Sequence, residues 1–243
     1  MKLLEKLLDN LDDDAPVRSV LVGVNWTLVC SRRCGLASTF KSNNLHGHDA
    51  VRDVGSLQGK SARELAHYAL SDNLLEVSIG MAALNSMLDF NFNNIVEINA
   101  SEVLARHGRD KRVALVGHFP FIPQLRNEVG ELWVLELQPD ENEYHSESAP
   151  DIIPRADVVA ITSSAFINHT MDNLLALCPP TALVMLLGPT TPLTPLLFDY
   201  NISLISGSRV VDEAAAIRTV SQGANFRQVQ GVKLITISSD SQL

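Results

Sequence analysis

Two loops contain the side chains best suited to chemistry in this sequence. Residues 117–121 (GHFPF) follow a short apolar segment, and residues 188–192 (GPTTP) follow the most apolar segment of the chain. Both place glycine, proline and polar groups where the strands of an α/β sheet would end at their carboxyl edge. Because open α/β sheets bind their ligands at that edge, the two loops predict a ligand site.

His118 has the most versatile side chain of the first loop. An imidazole at the end of a strand ligates a metal ion, accepts a proton or hydrogen-bonds a ligand. The alternative is that the ring caps backbone groups in a tight loop that contains proline. We favour the functional interpretation, because such a loop has little structural need for a histidine. The neighbouring Gly117 and Phe119 are included in the predicted site.

The first loop is a poor match to a dinucleotide fingerprint. That fingerprint, G-x-G-x-x-G, lets the backbone approach a pyrophosphate, whereas this loop offers Gly117 alone. Glu136 ends the next predicted strand, where an acidic residue meets a ribose hydroxyl in dinucleotide sites. An acid at a strand end also serves solubility, so an adenosine-type ligand stays an alternative.

The second loop is predicted to be rigid and rich in polar groups. Pro189, after Gly188, fixes the backbone. Thr190 and Thr191 then present hydroxyl and N–H groups, an array that suits an anionic or carbonyl-bearing ligand. The same segment is also a helix start, with Thr194 as its cap. The two interpretations are compatible, because helix N-termini attract anions.

Four other polar residues each allow two interpretations. Asn168 and Thr170 are either ligand contacts or a cap on the following helix. Glu76, at the start of an apolar helix, is either a partner of the helix dipole or a group directed into a cleft between domains. Asn85 lies on the same helix, where a buried amide must find hydrogen bonds, and is a candidate for the same cleft.

The densest set of metal-capable side chains is HGHD at residues 46–49. His46 and His48 project the same way only in an extended segment, and a divalent site needs a third ligand. Cys34 or Asp53 would supply it, although a solvated polar loop is the favoured alternative. Together with His118, residues Cys34, His46 and His48 are the predicted ligands of a divalent or heavy-metal ion.

The three cysteines, Cys30, Cys34 and Cys178, are not predicted to form a disulfide. Their number is odd, and thiols stay reduced in the cytosol, where this chain is expected to reside. The C-x₃-C spacing is not that of a zinc knuckle and no second pair completes it. A structural zinc site is therefore not predicted.

Composition and charge argue against two classes of partner. The chain has 243 residues, 46% hydrophobic and 19% charged, which is typical of a globular protein. Its formal net charge of -9 argues against nucleic acid, which binds to basic surfaces. Acidic residues interrupt the apolar N-terminus, and no apolar run is long enough to span a membrane. A cytoplasmic protein is predicted.

The elements that position these residues divide the chain into two predicted domains, with a boundary near residues 108–111. The first half is α+β, and Ser61 and Glu64 form a capping box at one of its helices. It contains an amphipathic first helix, a strand at 17–29 with a hairpin partner at 34–40, and helices at 61–70, 74–88 and 100–107.

The second half alternates short apolar strands with helical patterns, which predicts a parallel sheet with crossover helices. Residues 138–150 are predicted to be its most exposed loop. The predicted strands are 113–116, 132–137, 158–162, 182–187, 202–205 and 232–237.

Five segments together resemble one family, which is called "putative heavy-metal chelation". They cover nearly the whole chain in order: CGLAST (34–39), NLLEVSIGMAALNS (73–86), VALVGHFPF (113–121), ADVVAITSSAFINHT (156–170) and LLGPTTPLTPLLF (186–198). The resemblance implies an α+β, enolase-N-terminal-like domain at 1–109. A Rossmann-like, three-layer α/β domain with a mainly parallel sheet would follow at 110–243.

The resemblance also implies a protein that binds or handles a metal or a metal chelate in the cleft between the domains. The competing hypothesis is an enzyme that binds S-adenosylmethionine or another nucleotide-like cofactor and acts on a small anionic substrate. His118 and Glu76 would then be its acid–base residues. A third hypothesis is a non-catalytic assembly module, in which the apolar N-terminal helix mediates formation of a homodimer.

Overall fold

The computed structural model describes residues 2–11, 13–41, 50–89, 95–96 and 99–239. His46 and His48, two of the predicted metal ligands, lie outside the described residues. Within these ranges, no helix combines the length and the apolar character that crossing a bilayer requires.

The N-terminal part begins with helix α1 (Lys2–Asp9) and a three-stranded antiparallel sheet. Its strands are β1 (Ser19–Val22), β2 (Trp26–Cys30) and β3 (Cys34–Ser38). The hairpin between β2 and β3 is confirmed, but the prediction of one strand at 17–29 is wrong. The chain reverses at Gly23, where a side chain would meet the backbone of Val220 at 2.8 Å.

Helices α2 (Ala62–Ala66) and α3 (Leu74–Met87) follow, and both were predicted. The Ser61–Glu64 capping box at α2 is confirmed: each side chain accepts a hydrogen bond from the other residue's backbone N–H. Helix α3 is buried on nearly every side. Gly80 permits this packing, because a side chain there would lie 2.0 Å from the backbone N of Ala69.

The C-terminal part is built on an eight-stranded sheet that confirms the predicted mixed α/β fold with a mainly parallel sheet. Strands β5 to β10 run parallel, whereas β11 is antiparallel to β10 and β4 is antiparallel to β11. The strands are β4 (Ile95–Val96), β5 (Arg112–Val116), β6 (Glu131–Glu136), β7 (Tyr144–His145), β8 (Val158–Thr162), β9 (Leu183–Leu187), β10 (Leu204–Val210) and β11 (Val232–Ser238).

Two sequence predictions for this sheet need correction, and one strand was missed. The strand predicted at 202–205 begins two residues later and continues to Val210, as β10. The loop predicted at 138–150 contains β7, a two-residue strand without an apolar pattern, and a short 3₁₀ helix. Strand β4 was not predicted, since two residues carry no periodicity.

The strand order identifies the edge of the sheet at which a ligand would bind. The order is β4-β11-β10-β9-β8-β5-β6-β7, so the chain leaves β5 toward β6 on one side and later continues with β8 on the other. Counted from β5, the six parallel strands follow the order 3-2-1-4-5-6 of doubly wound dinucleotide-binding sheets. The switch point, where such sheets bind ligands, lies between the carboxyl ends of β5 and β8.

Helices cover both faces of this sheet. Alternate residues of β5 serve the two sides: Val113 and Leu115 pack with α4 (Ala100–Gly108) and α5 (Ile122–Leu125). Ala114 belongs to the core of the opposite face. That larger core also takes in α1 and α3, together with α6 (Ala149–Ile152) and α7 (Met171–Leu177). Helix α8 (Glu213–Ser221) packs against β1 and β2.

Helix α1 uses its apolar face inside the chain. Leu3, Leu4, Leu7 and Leu8 are almost completely buried in the larger core. The pattern on which the dimerisation hypothesis was based is therefore explained by intramolecular packing.

The structure contradicts the prediction that the cysteines form no disulfide. Cys30 and Cys34 are bonded to each other, and Cys178 is free. The prediction relied on compartment and on the odd count, whereas the deciding factor is register. The two residues face each other across the β2–β3 hairpin with their Cα atoms 4.0 Å apart.

Candidate functional site

A cavity of about 610 Å³ lies at the carboxyl edge of the large sheet and includes the switch point. This volume is typical of sites for small organic molecules. The walls come from the carboxyl ends of β5, β8 and β9 and the loops that follow them, from the middle of β10 and β11, from the start of α4, and from the β2–β3 hairpin. The lining residues are Trp26, Ser38, Asn99, Ala100, Ser101, His118, Phe119, Pro120, Phe121, Gln124, Thr162, Ser163, Ser164, Leu187, Gly188, Pro189, Ser206, Gly207, Phe226, Arg227, Leu234, Ile235 and Thr236.

Two glycines shape the floor of the cavity. Gly117 follows β5 directly and has φ +107°, and Gly188 follows β9 directly and has φ +127°. Residues with a side chain rarely adopt these backbone angles. A Cβ atom on Gly117 would lie 2.9 Å from Thr162 Cβ, and one on Gly188 would lie 2.6 Å from Ser163 Oγ. The end of β8 therefore lies between two loop positions at which only glycine fits.

Aromatic rings supply much of the apolar wall. Phe119 and Phe121 stack with their ring centroids 5.1 Å apart. Trp26, from the hairpin, packs against Phe226 at 5.3 Å in a tilted arrangement. Trp26 Nε1 is buried and has no hydrogen-bond partner among the described residues. A ligand with a planar ring and an acceptor atom would match this wall.

The polar part of the cavity favours a neutral or anionic ligand. Ser163, Ser206 and Thr236 are buried hydroxyl residues, and the last two hydrogen-bond each other at 2.5 Å. The positive end of helix α4 also lies here, with Asn99 as its N-cap. Among the lining residues that the structure describes, Arg227 is the only permanently charged one, and none is a cysteine, aspartate or glutamate.

His118 connects the cavity to a second group of polar side chains at its rim. His118 Nδ1 lies 3.1 Å from Glu143 Oε1, and Asp140 N donates to Glu143 Oε2 at 3.0 Å. One ligand atom from each of His118, Asp140 and Glu143 lies within 4.8 Å of the others. The His118 side chain is 52% exposed, whereas the Glu143 side chain is only 4% exposed. Imidazole and carboxylate groups are donors for borderline and hard divalent ions.

Comparison with known families matches most of the chain to one family description. Two family models, both described as "Putative heavy-metal chelation", match residues 4–88 and residues 99–238. The chain belongs to this family. The second match alone spans more than half of the sequence and contains most of the cavity, while the first contains Trp26 and Ser38.

Relatives of the chain agree with this assignment. An uncharacterised protein from Methanocaldococcus jannaschii is 27% identical over 186 residues, which are 70% of this chain and 68% of the relative. A crystal structure of a family protein of unknown function from Desulfitobacterium hafniense matches with a TM-score of 0.86 and 26% identity, over 98% of both chains. A second, from Pyrococcus horikoshii, has a TM-score of 0.78 at 20% identity, again over 98% of both chains, and supports the fold alone.

The structure brings four of the predicted site residues into the cavity wall: His118, Phe119, Gly188 and Pro189. Gly117 lies immediately behind, against Thr162. These are the residues of the two loops that the sequence placed at the sheet edge.

Thr190 and Thr191 lie beneath the cavity and fasten its second loop. Both are almost completely buried. Thr190 Oγ1 accepts a hydrogen bond from Ser38 N at 2.9 Å, and its carbonyl accepts one from Asn85 Nδ2 at 3.0 Å. Thr191 Oγ1 donates to Gly188 O at 2.8 Å. The predicted cap of the following turn is confirmed, because Thr194 accepts a hydrogen bond from Leu196 N.

Asn85 links the two parts of the chain rather than lining the main cavity. Its amide donates to Leu36 O on β3 and to Thr190 O, both at 3.0 Å. Its Oδ1 is buried without a partner among the described residues. It borders a void of about 10 Å³, which is close to the minimum for one water molecule.

Glu76 is held by its own neighbours, away from the cavity wall. Its carboxylate accepts hydrogen bonds from Arg52 N at 2.7 Å, Arg52 Nε at 2.9 Å and Ser71 Oγ at 2.7 Å. Burial opposes ionisation of Glu76, but these hydrogen bonds and the Arg52 charge outweigh it and hold its pKa below the ordinary value.

Asn168, Thr170 and Glu136 are engaged in local hydrogen bonds outside the cavity wall. Asn168 Oδ1 accepts from Thr170 N at 3.3 Å and from Thr170 Oγ1 at 2.7 Å, at the start of α7. Glu136 Oε1 accepts from the following backbone N–H, that of Leu137, at 2.9 Å.

Of the two suggested third ligands, Cys34 is bonded to Cys30, and Asp53 pairs with Lys60 at 2.7 Å. Hydrogen bonding to the Lys60 ammonium is the main cause that lowers the pKa of Asp53.

Sequence reasoning missed several residues of the site. Ser163 was within a quoted motif, and a serine directly after a buried strand was a usable signal. Asp140 and Glu143 were inside a segment interpreted only as an exposed acidic loop. Trp26 and Phe226 come from distant parts of the chain, so no local pattern connects them to the sheet edge.

Proposed function

We propose that this protein binds a divalent metal as a small organic chelate. The organic part would occupy the cavity at the sheet edge, and the metal would lie at the rim against His118, Asp140 and Glu143. The observation that carries the proposal is the location of His118. Its side chain belongs both to the cavity wall and to the only cluster of metal-capable side chains at the cavity rim among the described residues.

The chemistry of the two regions supports a chelate over a bare ion in the cavity. The cavity offers rings, hydroxyl groups, a helix N-terminus and Arg227, which suit an aromatic or anionic molecule. The rim offers one imidazole and two carboxylates, a set that suits Ni²⁺ or Zn²⁺ better than a soft ion. The chelating molecule would supply the remaining ligands of the metal.

Calorimetric titration with Ni²⁺ tests the rim. Wild-type protein should bind one ion, and Glu143→Gln and His118→Ala should weaken binding at least 10-fold, or about 1.4 kcal/mol. His145→Ala is the matched control, because His145 pairs with Glu147 in the same segment outside the cluster. Equal Ni²⁺ affinity in wild type, Glu143→Gln and His118→Ala would contradict the assigned ligands.

A thermal-shift comparison tests the cavity. Picolinate is a suitable probe, since it is aromatic, anionic and chelates Ni²⁺. The Ni²⁺–picolinate complex should raise the melting temperature more than Ni²⁺ or picolinate alone, because a ligand stabilises the state it binds. Arg227→Gln should weaken the effect, whereas Arg109→Gln, an exposed charge outside the cavity wall, should not. Equal shifts with Ni²⁺ and with its picolinate complex would count against a chelate.

The second candidate is an enzyme that uses an adenosine-type cofactor. It is supported by the 3-2-1-4-5-6 strand order, which places the cavity at the switch point where nucleotides bind. S-Adenosylmethionine and adenosine in the same screen separate the candidates. A stabilising shift with either molecule, lost in Ser163→Leu, would favour the enzyme.

A further inference from the structure

The β2–β3 hairpin has two chemically different ends. At one end Trp26 pairs with Ser38, and both line the cavity. At the other end Cys30 pairs with Cys34. Trp26 and Cys30 are four positions apart along β2, which is roughly 13 Å at the usual rise. The cysteine pair is therefore a separate feature of the molecule.

A carboxylate lies beside the two sulfur atoms. Glu213 is the first residue of α8, and one of its carboxylate oxygens lies within 4.8 Å of the Sγ atoms of Cys30 and Cys34. Arg18 holds this carboxylate with two hydrogen bonds, at 2.7 Å and 2.5 Å. Each carboxylate oxygen can accept more than one bond, so Glu213 keeps the capacity to bind a cation.

The cluster lies at the start of a helix. The nine-residue helix α8 begins at Glu213, and the Arg18 guanidinium is fixed beside it. An ion bound here would join groups from β2, β3 and α8.

We propose that the reduced pair Cys30 and Cys34 binds a soft divalent ion such as Cd²⁺, with Glu213 as third ligand. A dithiol reductant first transfers two electrons and two protons to the disulfide and is itself oxidised to a disulfide. Cd²⁺ then displaces the two thiol protons and forms two Cd–S bonds. Two thiolates select soft ions, unlike the imidazole and carboxylates at the cavity rim.

The burial of the three ligands indicates the route to this site. Cys30 and Cys34 are 1% and 7% exposed, whereas the Glu213 side chain is 40% exposed. The ion therefore reaches the sulfur atoms from the side of Glu213. Oxidation to the disulfide closes the site, because it removes both thiolates.

Cadmium titration of the full-length protein tests the proposal. The protein is reduced with dithiothreitol, and the reductant is then removed under anaerobic conditions. Cd²⁺ is added while the thiolate-to-cadmium charge-transfer absorption is recorded. Reduced wild type should bind one ion with this absorption, and the oxidised form should give none. Cys30→Ser and Cys34→Ser should each lose at least about 100-fold in affinity, since even residues that only orient ligands cost 10–100-fold.

Two further variants complete the test. Cys178→Ser should bind Cd²⁺ as wild type does. Glu213→Gln should keep the absorption but bind about 10-fold more weakly. The proposal is overturned if reduced, folded wild type shows no cadmium–thiolate absorption, or if the oxidised form binds equally. Cys34→Ser should still show the thermal shift with Ni²⁺–picolinate. Failure of the cadmium test therefore leaves the cavity proposal unaffected, and failure of the cavity test leaves the cadmium proposal unaffected.

Discussion

Glu76 illustrates how a carboxylate in an apolar helix can serve structure. Its side chain is 3% exposed, yet it accepts hydrogen bonds from Arg52 and Ser71 and pairs with the Arg52 guanidinium at 2.8 Å. These contacts fasten the segment before α2 to the start of α3. The buried acid is fully engaged there, which leaves His118 as the better candidate for chemistry.

Glu76→Gln should lower the free energy of unfolding by about 1–3 kcal/mol at pH 7, because it removes a charged acceptor from buried donors. The native pKa of Glu76 is lowered. Its stabilisation is therefore present above the unfolded pKa of about 4.3 and is lost as pH falls through the lower native value.

Urea denaturation at pH 7 and at pH 3.5 measures this effect. The difference between wild type and Glu76→Gln should shrink at the lower pH. Glu147→Gln is the control, because that side chain is 90% exposed. A difference that is the same at both pH values would contradict the role assigned to the carboxylate.

At the scale of elements, the loop after β5 depends on glycine for two separate reasons, its backbone conformation and a close steric contact. Gly117 combines a positive φ with the close approach of Thr162, whereas Gly223 has φ +81° and open space around it. Substitutions at Gly117 and Gly223 therefore separate the cost of backbone strain from the cost of steric contact.

Gly223→Ala should cost about 1–2 kcal/mol of stability from the left-handed backbone alone. Gly117→Ala should cost more, because the added carbon must also displace Thr162, and it should abolish the thermal shift with Ni²⁺–picolinate. Thermal unfolding with and without the probe measures both effects. Equal stability loss in the two variants, with the shift retained, would show that the β5 loop does not shape the cavity.

The elements that the sequence predicted well are those with local signals. The Ser61–Glu64 capping box and the apolar strands β5, β8 and β9 are set by neighbouring residues. Strand β7 was not predictable, because two polar residues pair with β6 only through tertiary contact.

For the candidate site, local signals located the two edge loops but not their partners. The cavity also needs Trp26 from another sheet, and the rim needs Glu143, 25 residues from His118. The Cys30–Cys34 contact depends on hairpin register, which composition does not reveal.

At the scale of the whole molecule, the two parts of the chain share one core. The larger hydrophobic cluster contains residues of α1, α3, β8 and β9. Leu3 N donates to Asp172 at 3.0 Å, and Asn85 bridges β3 to the loop after β9. Two domains at 1–109 and 110–243 stay a prediction, and the shared core leads us to expect a single unfolding transition.

Leu7→Ala should lower stability by about 2–5 kcal/mol, because it leaves a cavity in that shared core. Calorimetry should still show one transition at a lower temperature. Light scattering after size exclusion should show the same molar mass as wild type, because the face of α1 is used within the chain. A change of molar mass with unchanged stability would instead support the assembly role of this helix.

The proposed function depends on metal and organic ligand meeting at His118. Crystals grown with Ni²⁺–picolinate and measured at the nickel absorption edge locate both. We predict an anomalous peak between His118, Asp140 and Glu143, with the picolinate ring in the cavity between Phe119 and Trp26. The proposal would be contradicted by a nickel peak at any other place on the chain. It would also be contradicted if crystals grown with a saturating concentration of the complex showed no nickel at the rim and no picolinate in the cavity.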